Sequence, residues 1–111
     1  MFYKGNDAGF KPMLEGVSIK TLVYGDKSLL TEFRLEKGNR IPLHTHPSEQ
    51  TGYMVSGFIR LSIGGELFDA KPGDSWSIPG GMEHGAEIVE DSRIVEVFSP
   101  VRDDYLAYHS G

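Results

Sequence analysis

The chain has 111 residues, no cysteine and a formal net charge of −5 from 11 basic and 16 acidic side chains. The lack of thiols excludes disulfides and thiolate metal sites, and an acidic balance without a Lys/Arg cluster argues against nucleic-acid binding. No apolar run approaches the roughly 20 residues of a membrane-spanning helix, so no membrane partner is expected.

With 39% hydrophobic and 24% charged residues, the chain is expected to fold as one domain over residues 1–111. Met1–Asp7 has no apolar stretch of the signal-peptide kind, so the expected location is the cytoplasm. Met1–Glu15 is hard to read and is expected to pack as an extra strand or arm. Beyond it, Gly and Pro fall at intervals of roughly 8–12 residues, the spacing of an all-β sandwich or barrel. Leu29, Thr31, Phe33 and Leu35 alternate with Glu32, Arg34 and Glu36, the pattern of a strand with one buried face. His44-Thr45-His46 follows, with Gln50 four residues on. Two histidines two apart share one side of an extended strand, whereas Glu49 and Gln50 point to opposite faces. Phe58–Ile63 alternates again. Gly64-Gly65 then predicts a two-residue primed turn, with Glu66–Phe68 as the returning strand. Lys71-Pro72-Gly73-Asp74 has proline and glycine where a type II turn wants them. Ser75–Ile78 reads as a short strand ending at Pro79-Gly80-Gly81. Arg93–Phe98 is a late strand. No amphipathic helix is expected anywhere, His109 reads as an exposed tail residue, and Met54 and Met82 read as packing.

Three of the four histidines fall in two segments, Gly38–Gly57 and Gly73–His84. Histidine is the commonest transition-metal ligand. His44, His46 and His84 with the amide of Gln50 could therefore surround one divalent transition metal, manganese, iron, cobalt, nickel or zinc. His84 and Gln50 would have to arrive from neighbouring strands. A closed barrel would bring them together, and would also remove the exposed sheet edges of an all-β chain. On the last strand, Ile94, Glu96 and Phe98 share a face, and Arg102 follows the bend at Pro100. If that face lines the barrel, a carboxyl and an aromatic ring point at the metal, and Arg102 can capture a carboxylate. Periodicity leaves equally open a solvent-facing Glu96, with Arg102 paired to Asp103 or Asp104.

The two segments resemble the two motifs of the cupin superfamily. Gly38, His44, His46 and Gly57 match the first, and Gly73, Pro79, Gly81 and His84 the second. Gln50 stands where the motif has an acid, and Ile88 where it has an asparagine. The resemblance implies a cupin jelly-roll β-barrel (a double-stranded β-helix) with its core over about 29–100 and an N-terminal arm at 1–15. It also implies a homodimer. His44-Thr-His46-Pro-Ser-Glu-Gln50, Gly64-Gly65-Glu66, Ile78–Gly85 and Val97–Tyr105 further resemble the KdgF group of cupins. These convert 4,5-unsaturated uronate sugars from pectin and alginate into linear keto-sugars, with a metal site of three histidines and one glutamine. That resemblance implies His44, His46, Gln50 and His84 as metal ligands. It implies Glu96, Phe98 and Arg102 as catalytic residues, Glu96 replacing an aspartate, and an anionic sugar acid as substrate. A metal-dependent dioxygenase or isomerase on another small molecule, and a non-catalytic sugar-binding cupin, are the alternatives.

Overall fold

The computed structural model describes residues 1–109. Eight strands run in chain order as β1 (Lys11–Leu14), β2 (Val17–Tyr24), β3 (Leu29–Leu35), β4 (Arg40–His44), β5 (Glu49–Ile63), β6 (Glu66–Ala70), β7 (Ser75–Ile78) and β8 (His84–Ser99), followed by a helical turn, α1 (Asp103–Leu106). All strand pairings are antiparallel, in the order β1-β2-β3-β8-β5-β6, with β4 on β8 and β7 on β5.

The two long strands explain the closure. The first part of β5 pairs with β7 and with the end of β8, and its last part pairs with β6 and with the start of β8. β3 lies along the end of β8 and β4 along its start. Each long strand therefore passes from one sheet layer into the other, the jelly-roll arrangement. The bend sits at irregularities between Met54 and Ile59. There Gly57 has φ +93°, and a Cβ would collide with Asp91 O and Ser92 Oγ, so only glycine fits.

Inner residues follow the alternation read from sequence. Leu29, Thr31, Phe33 and Leu35 are buried, and they meet Val17, Ile19, Met54, Ile59, Ile88, Ile94 and Phe98 between the layers. Gly64 and Gly65 have φ +57° and +87° between the paired Ile63 and Glu66, as a primed hairpin turn requires. Gly73 has φ +95°, and Asp74 N–H donates to Lys71 O at 2.9 Å, closing the expected turn. The N-terminal region supplies β1 at the sheet edge. Before it, Asp7 pairs with Arg34 at 2.9 Å, and Phe10 lies under the same guanidinium.

Three expectations change. The late strand is not Arg93–Phe98 but the end of a 16-residue strand starting at His84. Its middle, Glu90-Asp91, breaks the apolar pattern at the point where the strand crosses between layers. α1 forms where no helix was read, because four residues are too few to show a helical period. His109 is not an exposed tail residue. The chain after α1 returns across β2, bridges Thr21, and sets the His109 ring edge-on to Tyr3 and Tyr24, with centroids 4.7 and 5.4 Å away. Among the described residues, no helix is long and apolar enough to cross a membrane.

Candidate metal centre and its cavity

His44 closes β4 opposite His84, which opens β8, so strand pairing alone sets two rings side by side. Their centroids are 4.2 Å apart. The chain leaves β4 after His44, and the His46 ring comes within 4.9 Å of His84. One ring nitrogen from each histidine lies within 4.8 Å of the other two.

The ring orientations share one cause. Nδ1 of His44 faces Pro42 O, that of His46 faces Ser48 O, and that of His84 faces Met82 O, each at 2.8 Å. A carbonyl only accepts, so each Nδ1 carries the proton and each Nε2 keeps a lone pair, the usual arrangement of a metal-binding imidazole. His84 Nε2 is buried and, among the described residues, has no partner. His46 Nε2 faces Gln50 Oε1 at 2.7 Å. With Nδ1 already donating, that contact sets two lone pairs against each other, which a shared cation would satisfy. The residues present thus fit a divalent metal bound by three imidazoles and one amide oxygen. Burial lowers the proton affinity of His46 and His84 below the ordinary histidine value, favouring the neutral ligand form.

The offset at 49 and 50 is resolved as strand alternation requires: Glu49 is exposed and Gln50 is buried. Glu96 faces the interior, 6% exposed, and not solvent. Its Oε2 accepts from Gln50 Nε2 at 2.6 Å and from Trp76 Nε1 at 3.0 Å. Burial pushes the carboxyl up to about 7, against the opposing pull of Trp76, Gln50 and the Arg102 charge. Phe98 is buried, its ring 5.6 Å from that of His46. Arg102 combines both sequence readings. It lines the cavity, yet its Nη2 pairs with Asp104 Oδ2 at 2.7 Å and its Nη1 donates to Tyr105 Oη at 3.0 Å.

A cavity of about 390 Å³ opens beside these groups, lined by His44, Gln50, His84, Glu96, Arg102 and Tyr105, with Met13, Phe33, Ile41 and Ile59 among its apolar walls. Two participants escaped the sequence reading. Trp76 sits two residues before Ile78 on the inner face of a short strand, and Tyr105 lies in α1 against Phe98. The Trp76-x-Ile78 alternation was the available signal for the first; the second closes the Val97–Tyr105 stretch of the resemblance, which gave it no role.

Residues 31–99 match the cupin domain family. KdgF from Halomonas sp. is 27% identical, over 94% of this chain and 96% of that one, with a TM-score of 0.88. An RmlC-like cupin from Shewanella frigidimarina is 24% identical over 94% of each chain, also at 0.88. The polyketide cyclase RemF from Streptomyces resistomycificus is 23% identical over 93% of this chain and 82% of that one, at 0.76. Among curated proteins, none matches the sequence significantly.

Proposed function

We propose that this chain, which belongs to the cupin domain family, is a metal-dependent enzyme that opens the ring of 4,5-unsaturated uronate sugars to give keto-uronates. His44, His46, Gln50 and His84 would hold the metal, and Glu96, Phe98 and Arg102 would act on the substrate. The observation that carries this reading is the amide of Gln50, which bridges His46 Nε2 and the Glu96 carboxyl at 2.7 and 2.6 Å. The likeness to a KdgF at 27% identity supports it.

The reaction adds a proton to C4 and water to C5 of the enol ether, and the resulting hemiketal opens. A bound divalent ion would supply Lewis-acid polarisation of substrate oxygens or water. Gln50 is neutral, so the ligand set leaves that ion's charge uncompensated and suits an anionic substrate. Glu96 delivers or removes the proton, and a carboxyl with affinity near 7 is populated in both forms at neutral pH. Arg102 exchanges Asp104 for the sugar carboxylate, forming a two-point clamp. Phe98 packs against the sugar ring. In this reading the working form is a homodimer, supported by Tyr53 and Val55 standing exposed on the outer face of β5.

The test follows the vinyl proton of freshly made 4,5-unsaturated galacturonate by NMR, with and without a chelator. Accelerated loss that chelation abolishes is expected. No acceleration by metal-loaded protein removes the uronate reading, and oxygen uptake or sugar binding without turnover would then be sought.

A further inference from the structure

Trp76 is the one tryptophan of the chain, and the reading above gives it no part. β7 meets β5 in the register Trp76 to Gly52, and β5 meets β8 in the register Gly52 to Glu96. Thr31 of β3 continues the row beyond Glu96. Residues in one row across antiparallel strands project to the same face. The inner face therefore carries indole, nothing, carboxyl and hydroxyl in line. A Cβ on Gly52 would collide with Nε1 and Cε2 of Trp76. The missing side chain lets the indole lie across β5 and donate Nε1–H to Glu96 Oε2 at 3.0 Å.

Gln50, two residues before Gly52 on the same face, donates to that same oxygen at 2.6 Å. Thr31 Oγ1 donates to the Glu96 main-chain carbonyl at 2.9 Å, holding the backbone of this row. Among the described residues Oε1 accepts from no donor, and it is not sealed off from the cavity. A carboxyl held by one donor can turn about its last bond and exchange its oxygens. Two donors from different strands on one oxygen remove that freedom.

We propose that Trp76, admitted by Gly52, is a positioning residue that with Gln50 pins Oε2 of Glu96 and leaves Oε1 as the carboxyl oxygen presented to the cavity. Its catalytic consequence rests on the acid–base role given to Glu96 above.

Because the tryptophan is unique, its indole N–H gives one resolved signal in a ¹⁵N–¹H spectrum of the whole protein, metal-loaded or chelated. A hydrogen bond to the carboxyl group places that proton downfield. Glu96→Ala should move it upfield, and Gly52→Ala should move it by displacing the ring. Trp76→Phe keeps an aromatic filler and removes only the donor. It should lower kcat on the unsaturated uronate by about ten- to a hundred-fold, the worth of one hydrogen bond to a charged group, with KM and bound metal unchanged. An indole signal that Glu96→Ala leaves in place, or wild-type kcat in Trp76→Phe, overturns the proposal. Wild-type protein that leaves the uronate unchanged overturns the uronate reading instead, and the indole signal still decides the positioning.

Discussion

The amide of Gln50 uses its two ends differently, Oε1 at 2.7 Å from His46 Nε2 and Nε2 at 2.6 Å from Glu96 Oε2. A carboxylate there would still offer oxygen toward the histidines, but it would set a second anion against Glu96. Like charges at hydrogen-bond distance cannot both stay ionised. Gln50→Glu should therefore keep bound metal while turnover falls at least about ten-fold through loss of a charge-assisted hydrogen bond, read from metal content and kcat together. Glu96→Gln should abolish turnover and leave metal content unchanged; wild-type rates with substrate bound would exclude its acid–base role. The same carboxyl leaves a trace in the stability of chelated protein. Its affinity rises from 4.5 unfolded to about 7 folded, so the folded state binds the proton more tightly. That stabilisation is complete below the unfolded value and is lost as pH rises through the folded one. Relative to Glu96→Gln, the wild type should lose on the order of 3 kcal/mol across this window. His46 and His84, held low by burial, slope the other way, with stability lost as pH falls below 6.5, and they cancel in the comparison. Urea unfolding at several pH values checks it.

β5 and β8 carry the architecture because each serves both layers. Gly57 is the position where β5 turns, with φ +93° and no room for a Cβ beside Asp91 O and Ser92 Oγ. Gly57→Ala combines an unfavourable backbone region with a collision against main chain. It should cost about 2–4 kcal/mol and lower Tm markedly, whereas Gly65→Ala, with open space around its Cα, meets only the backbone term and should cost about 1 kcal/mol. Thermal unfolding of the two variants distinguishes them. If they are equally destabilised, the crossing at Gly57 is not what holds the layers. The alternation of Leu29–Leu35 and the Gly64-Gly65 turn were legible because period and turn chemistry are local. The full extent of β8 was not, because Glu90 and Asp91, both exposed, interrupt the apolar pattern in its middle.

At the scale of the molecule, the proposed metal ligands come from three places in the chain, and among the described residues none partners the buried His84 Nε2. An ion bound to the folded state alone should raise stability by about 2.7 kcal/mol at a hundred-fold excess over Kd. A rise in Tm on adding nickel or manganese, reversed by chelator and absent in His84→Ala, checks this; an unchanged Tm would mean the histidines do not hold that ion. The strand character of the chain, its turn positions and the gathering of histidines into two segments follow from the sequence by itself, since spacing along the backbone decides them. So does the exclusion of disulfides and thiolate ligands. Which way Glu96 faces was open on periodicity alone, because the end of β8 is apolar on both sides. The layers decided it: β3 and β5 flank β8 and turn Glu96 inward onto Gln50 and Trp76. The Trp76 indole on Glu96 and the return of His109 across β2 likewise belong to the tertiary structure. Each depends on residues far apart in sequence, which no local pattern brings together, whereas the pairing of Arg102 with Asp104 is local and was legible.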